Sequence, residues 1–99
     1  MLDLFARSFR YEARAESAIN EAAKTWDKID AILLALEWAV GHDPAIGPLL
    51  FGNVRGFVYP GVRGMNEPDI DVIYEDCNPL IVVHDLTFRP ARAFYAGHG

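Results

Sequence analysis

A chain of 99 residues, 52% of them apolar, with a formal net charge of -5 and one cysteine, has room for a single core. The lone Cys77 excludes an internal disulfide framework and fits a reducing compartment. No uncharged apolar run reaches the roughly 18 residues of a membrane span, and the charged N-terminus does not read as a secretory signal, so a soluble cytoplasmic protein is expected. The acids are spread through both halves with no basic arm or stripe, which counts against a generic nucleic-acid binder.

Phe5, Phe9 and Tyr11, with Arg7 and Arg10 among them, partly alternate, and a short strand at about residues 5 to 10 is expected, the alternative being a helix that starts near Leu2. From Glu12 to Lys24 the positions Ala15, Ala18, Ile19, Ala22, Ala23 and Trp26 recur at three and four, a helical stripe rich in alanine that can lie close to a neighbour. Asp27 and Asp30 resemble a capping box with a shorter acid, which starts a second helix at Trp26 to Lys28. That helix is expected to end at Val40, with Gly41 as a left-handed cap and Pro44 beyond it. Ile29, Ile32, Leu33, Leu36 and Val40 form its main face, and Leu34 and Trp38 widen the apolar arc, so burial on more than one side is expected. A short break at Thr25 makes the two helices an antiparallel hairpin.

The stretch from Gly41 to Gly56 reads as a connecting loop anchored by Leu49, Leu50 and Phe51. Gly56 to Tyr59 is a short strand that Pro60 confines to an end or an edge. After a second loop, Ile70, Val72 and Tyr74 alternate with polar positions, and β-branched residues resume from Leu80 to Leu86 beyond the turn Asp76-Cys77-Asn78-Pro79. This is a β-hairpin signature, and two strands alone need a covering layer, which the helices supply. The expected fold is α+β: an N-terminal helical hairpin, with a short strand before it as an option, packed on a three- to four-stranded antiparallel sheet in one domain over residues 1–99.

The run LALEWAVGHDPAIGPLL, followed by a glycine-led strand, and the run VIYEDCNPLIVVHDLTFR, with Tyr74 closing its first strand, resemble the RelE/ParE superfamily, the toxins of type II toxin–antitoxin pairs. The resemblance implies an antitoxin that wraps the domain. In one branch it also implies ribosome-dependent cleavage of mRNA without metal, where basic residues steady the phosphorane and a C-terminal tyrosine stacks or moves a proton. Arg89 and Tyr95 match the arginine and tyrosine of that motif in identity and spacing. Two departures stand against it: Phe57-Val58-Tyr59-Pro60 has no lysine where such enzymes carry a basic pair, and Asp71 stands where an arginine is expected. Preorganised positive groups are worth about 3 kcal/mol each in comparable sites, and a carboxylate reverses that sign. The DNA-gyrase-inhibiting branch has no such requirement, so a binding mode of toxicity is preferred, with mRNA cleavage or a non-toxic interaction module as alternatives.

If Asp76 to Pro79 form a four-residue turn, Glu75 faces Leu80 and Asp71 comes opposite His84, a carboxylate–imidazole pair that could orient a general base or be an ordinary cross-strand contact. Glu67, Asp69, Asp71, Glu75 and Asp76 form the densest acid cluster, read as a solvated or arginine-paired face in preference to a hard-cation site. Arg89 and Arg92 could grip a phosphate or an acidic antitoxin tail, or pair with Asp85 and the acid cluster. The candidate catalytic residues are therefore Arg89, Tyr95, His84 and Asp71, and the candidate partner-binding residues Arg92 and Trp38, the tryptophan acting as an anchor if it is exposed. Cys77 has nothing nearby to lower its pKa, and no phosphate loop, metal-ligand spacing or cofactor motif occurs. Which strand edge Pro60 leaves free decides whether a dimer can form.

Overall fold

The computed structural model describes residues 7–62 and 65–91. In chain order the elements are β1 (Ser8–Tyr11), α1 (Ala13–Ala22), α2 (Ile29–His42), β2 (Leu49–Phe51), β3 (Val54–Tyr59), β4 (Pro68–Cys77) and β5 (Leu80–Pro90). The α+β class is as expected, but the sheet has five strands in the order β1-β5-β4-β3-β2, and it is mixed: β1 runs parallel to β5, and the other neighbours are antiparallel. The fifth strand, β2, comes from the stretch read as loop.

Both helices cover one face of this sheet. Ile70, Val72 and Tyr74 of β4 and Ile81, Val83 and Leu86 of β5 share a core with Ala15 and Ala22 of α1 and with Ile29, Ile32, Leu36 and Val40 of α2. The alternation in β4 follows from the two-residue period of a strand, which sends every second side chain to the helices. In β5 the inward set changes parity after Val83, because His84 is an extra residue at a bulge. Tyr74 faces Val83, whereas Ile73 faces Asp85.

The alanine face of α1 lies closest to β5, not against α2. Residues 23–28 separate the helices, a longer break than the one expected at Thr25. The second helix also starts and stops late. Its N-cap residue is Lys28, with no capping side chain, so the Asp27 box is absent. Gly41 stays inside the helix, buried, with the Phe9 ring 3.7 Å from where a Cβ would stand. The helix continues to His42, so the left-handed cap expected at Gly41 does not form.

The connection between α2 and β3 is tied down from the sheet. The buried Tyr74 hydroxyl donates to the Pro44 carbonyl at 2.7 Å and accepts the Gly47 N–H at 3.1 Å. Arg55 donates to the Gly47 carbonyl at 2.8 Å, and Gly56 N–H to that of Pro48. A Cβ at Gly47 would stand 2.9 Å from the Gly56 carbonyl oxygen, so this close backbone approach needs glycine. Burial raises the Tyr74 phenol above its usual range, Asp43 and Asp76 add to this, and the Gly47 N–H and Arg55 oppose it without cancelling it. At the far edge, Tyr11 donates to Glu37 at 2.6 Å, joining β1 to α2. Burial, then the hydrogen bond and charge of Glu37, push that phenol far up as well.

Candidate functional site

The face of the sheet away from the helices carries most of the described residues with candidate chemistry. It collects the outward side chains of β4, namely Asp69, Asp71, Ile73 and Glu75, and their partners on β5. The β4–β5 connection is two residues long, Asn78 and Pro79, so Cys77 pairs with Leu80 and the register differs from that of a four-residue turn. Asp76 explains the longer strand. It points to the covered side, accepts Arg7 Nη1 at 2.6 Å, and also takes the Asn78 N–H at 3.1 Å, which closes the turn locally.

That register corrects the expected pairing of Asp71 with His84. Asp71 lies opposite Thr87, and its Oδ1 accepts Arg89 Nη2 at 2.8 Å across the diagonal. His84, turned outward at the bulge, places Nε2 3.0 Å from Glu75 Oε1 and Nδ1 3.4 Å from Glu12 Oε1. Four residues along β4 separate Asp71 from Glu75, about 13 Å at strand rise. Three of the proposed catalytic residues therefore fall at two places: Arg89 with Asp71, and His84 with two carboxylates. Tyr95 and Arg92 lie outside the described residues.

Each acid of the dense cluster has its own local partner. Glu67 accepts the Val62 N–H at 3.1 Å, Asp69 the Gly61 N–H at 2.8 Å, Asp71 takes Arg89, Glu75 takes His84, and Asp76 takes Arg7. Glu67 and Asp69 thereby hold the β3–β4 loop, where a methyl at Gly61 would run into the Glu67 and Pro68 carbonyls. The carboxylates diverge to these partners, and among the described residues no three His, Cys, Asp or Glu side chains converge on a common point for a metal.

The arginines are engaged in the same way. Arg7 pairs with Asp76, Arg10 with Glu12 at 3.5 Å, Arg14 with Asp85 at 3.7 Å, Arg89 with Asp71, and Arg55 with the Gly47 carbonyl. The described part of the chain thus offers no cluster of uncommitted guanidinium groups.

Apart from these pairs, several large apolar side chains lie uncovered. Leu49, Leu50 and Phe51 of the edge strand β2 are all exposed, and so are Leu34 and Trp38 on the solvent side of α2, each at 67%. Trp38 stacks on His42 with ring centroids 4.3 Å apart, and His42 Nδ1 lies 2.8 Å from the Trp38 carbonyl. Beside them is a shallow cavity of about 220 Å³ lined by Arg7, Phe9, Leu34, Glu37, Trp38 and His42. Trp26 behaves differently: it lies half-buried, 6.3 Å from the Phe88 ring, along a groove of about 370 Å³ between α1 and β5. Sequence reasoning singled out Trp38 as an anchor if exposed but took Leu34 as part of a buried arc. It treated β2 as a loop, because its three apolar residues are too few to display a strand period.

No helix among the described residues is long and apolar enough to cross a membrane. No family model matches the chain, and neither a curated protein nor a solved structure matches it.

Proposed function

We propose that this chain is the toxin-like member of a type II toxin–antitoxin pair and that it acts by binding a protein target, in the manner of gyrase inhibition, not by cutting RNA. Support for the toxin-type scaffold comes from the order of elements: a strand, two helices, then antiparallel strands with the helices on one face. Support for the binding mode comes from the arginines. Arg89, which the resemblance would give to phosphate stabilisation, is held by Asp71 on a strand face where acids outnumber bases. Cleavage of RNA needs positive groups waiting for charge that develops in the transition state. A phosphate arriving here would first have to displace a carboxylate.

The exposed apolar residues of β2, Leu49, Leu50 and Phe51, give such a protein a contact surface. The partners are then an antitoxin and a protein target, with no cofactor, and the ribosome and its mRNA are the partners of the competing reading.

Induced expression in bacterial cells tests this directly. Growth should stop, signs of DNA damage should follow, and Arg89→Ala should leave the arrest in place. Ribosome-dependent mRNA cleavage that disappears in Arg89→Ala would overturn the binding mode, and equal growth with and without induction would discard toxicity and leave a protein-interaction module.

A further inference from the structure

The solvent side of α2 is built to meet itself. Of its residues, Asp30, Ala31, Leu34, Ala35, Trp38 and His42 are exposed. These positions recur at three and four, so they form one face directly opposite Ile32, Leu36 and Val40. A surface helix ordinarily carries charge on that side. Here ionisable groups stand only at the ends, Asp30 in the first turn and His42 in the last, with two turns of Ala, Leu, Ala and Trp between them. Glu37, the remaining carboxylate near the middle, is turned away and bound to Tyr11.

The pattern has a centre. Leu34 and Trp38 lie two residues either side of Leu36, and Asp30 and His42 lie six either side of it. If a second α2 is laid antiparallel across the first, about a two-fold axis at that level, Leu34 meets the partner's Trp38. Asp30 then comes beside the partner's His42. Lys28 before the helix and Asp43 after it, both exposed and opposite in sign, come together in the same arrangement. A parallel pairing would set Asp30 against the partner's Asp30. Ala31 and Ala35 leave low ground across which the partner's indole can lie, and a separate cavity is edged by Leu34, Glu37 and Trp38. The helix is about 21 Å long, so the contact is at the small end for a specific interface.

We propose that the chain forms a two-fold homodimer through antiparallel packing of α2 on α2, with Leu34 and Trp38 as its apolar centre. This is independent of toxicity, and the free edge of β2 plays no part in it. Sedimentation velocity of the whole chain over a concentration series tests it. A monomer–dimer equilibrium in the micromolar range is expected, and Trp38→Glu or Leu34→Asp should abolish it while circular dichroism stays unchanged, since both side chains are exposed. Asp30→Lys should weaken association tenfold or more, and adding His42→Glu to Asp30→Lys should restore it, because antiparallel packing puts those two positions together. A chain that stays monomeric up to millimolar concentration overturns the proposal. So does a dimer that survives Trp38→Glu, or one in which His42→Glu fails to rescue Asp30→Lys.

Discussion

The two faces of β4 divide the work of the molecule. Inward, Ile70, Val72 and Tyr74 are fully buried beneath both helices, and Tyr74 also holds the loop that leads to β3. Outward, one step along the same strand, Asp69, Asp71 and Glu75 each spend their charge on a neighbour. The inward face joins elements far apart in the chain and carries stability. The outward face ties loops and side chains locally, in contact with water, where ion pairs contribute little. On this face the charges are met in pairs, whereas β2 and the solvent side of α2 leave aliphatic and aromatic groups uncovered.

Substitutions on β4 should separate these roles. Tyr74→Ala removes a buried ring and both of its hydrogen bonds, and should cost about 4 kcal/mol, read as a large fall in the urea midpoint. Tyr74→Phe keeps the ring but strands the Pro44 carbonyl and the Gly47 N–H, and should cost about 2 kcal/mol in the same measurement. If the two variants prove equally mild, the hydroxyl is not what holds the loop.

Alkali should act through the covered face as well. Tyr74 and Tyr11 keep their protons in the folded chain to higher pH than in the unfolded one. Above about pH 10 the unfolded state therefore binds fewer protons than the native state, and stability falls as pH rises. The part due to Tyr11 should be missing from Tyr11→Phe, which urea titrations at several alkaline pH values would detect.

The smallest effect belongs outside. Asp71→Asn should change stability by no more than about 0.5 kcal/mol, because its partner Arg89 is exposed. It should nevertheless increase retention on a polyanion column by freeing that guanidinium. Unchanged retention would mean that Asp71 is not what masks Arg89.

The strand period of residues 70 to 74 was legible because one buried face forces strict alternation, and the apolar core of α2 was legible for the equivalent helical reason. The pairing of His84 was not. It depends on a bulge and on a turn two residues shorter than the polar run Asp76 to Pro79 suggests, and a shift of this size moves every cross-strand neighbour. Gly41 misled because a glycine after an apolar stripe signals a cap, while here it lies buried inside the last turn of the helix beside Phe9. Arg89 was legible as a cation near the end of β5, but its pairing with Asp71 requires the register. Trp38 and Leu34 belong to the apolar count of α2, yet only the placement of the sheet decides which arc of that helix faces water.

The parallel pairing of β1 with β5 sets a constraint on how the chain is made. Among the described residues Phe9 finds its backbone neighbour at Ile81, so β1 waits for a strand made about 70 residues later. Until then Phe9 and Tyr11 have no strand beside them and β4 keeps an open flank. Nascent or truncated products that stop short of Leu80 would be the sticky ones, and prompt completion of translation is their natural protection.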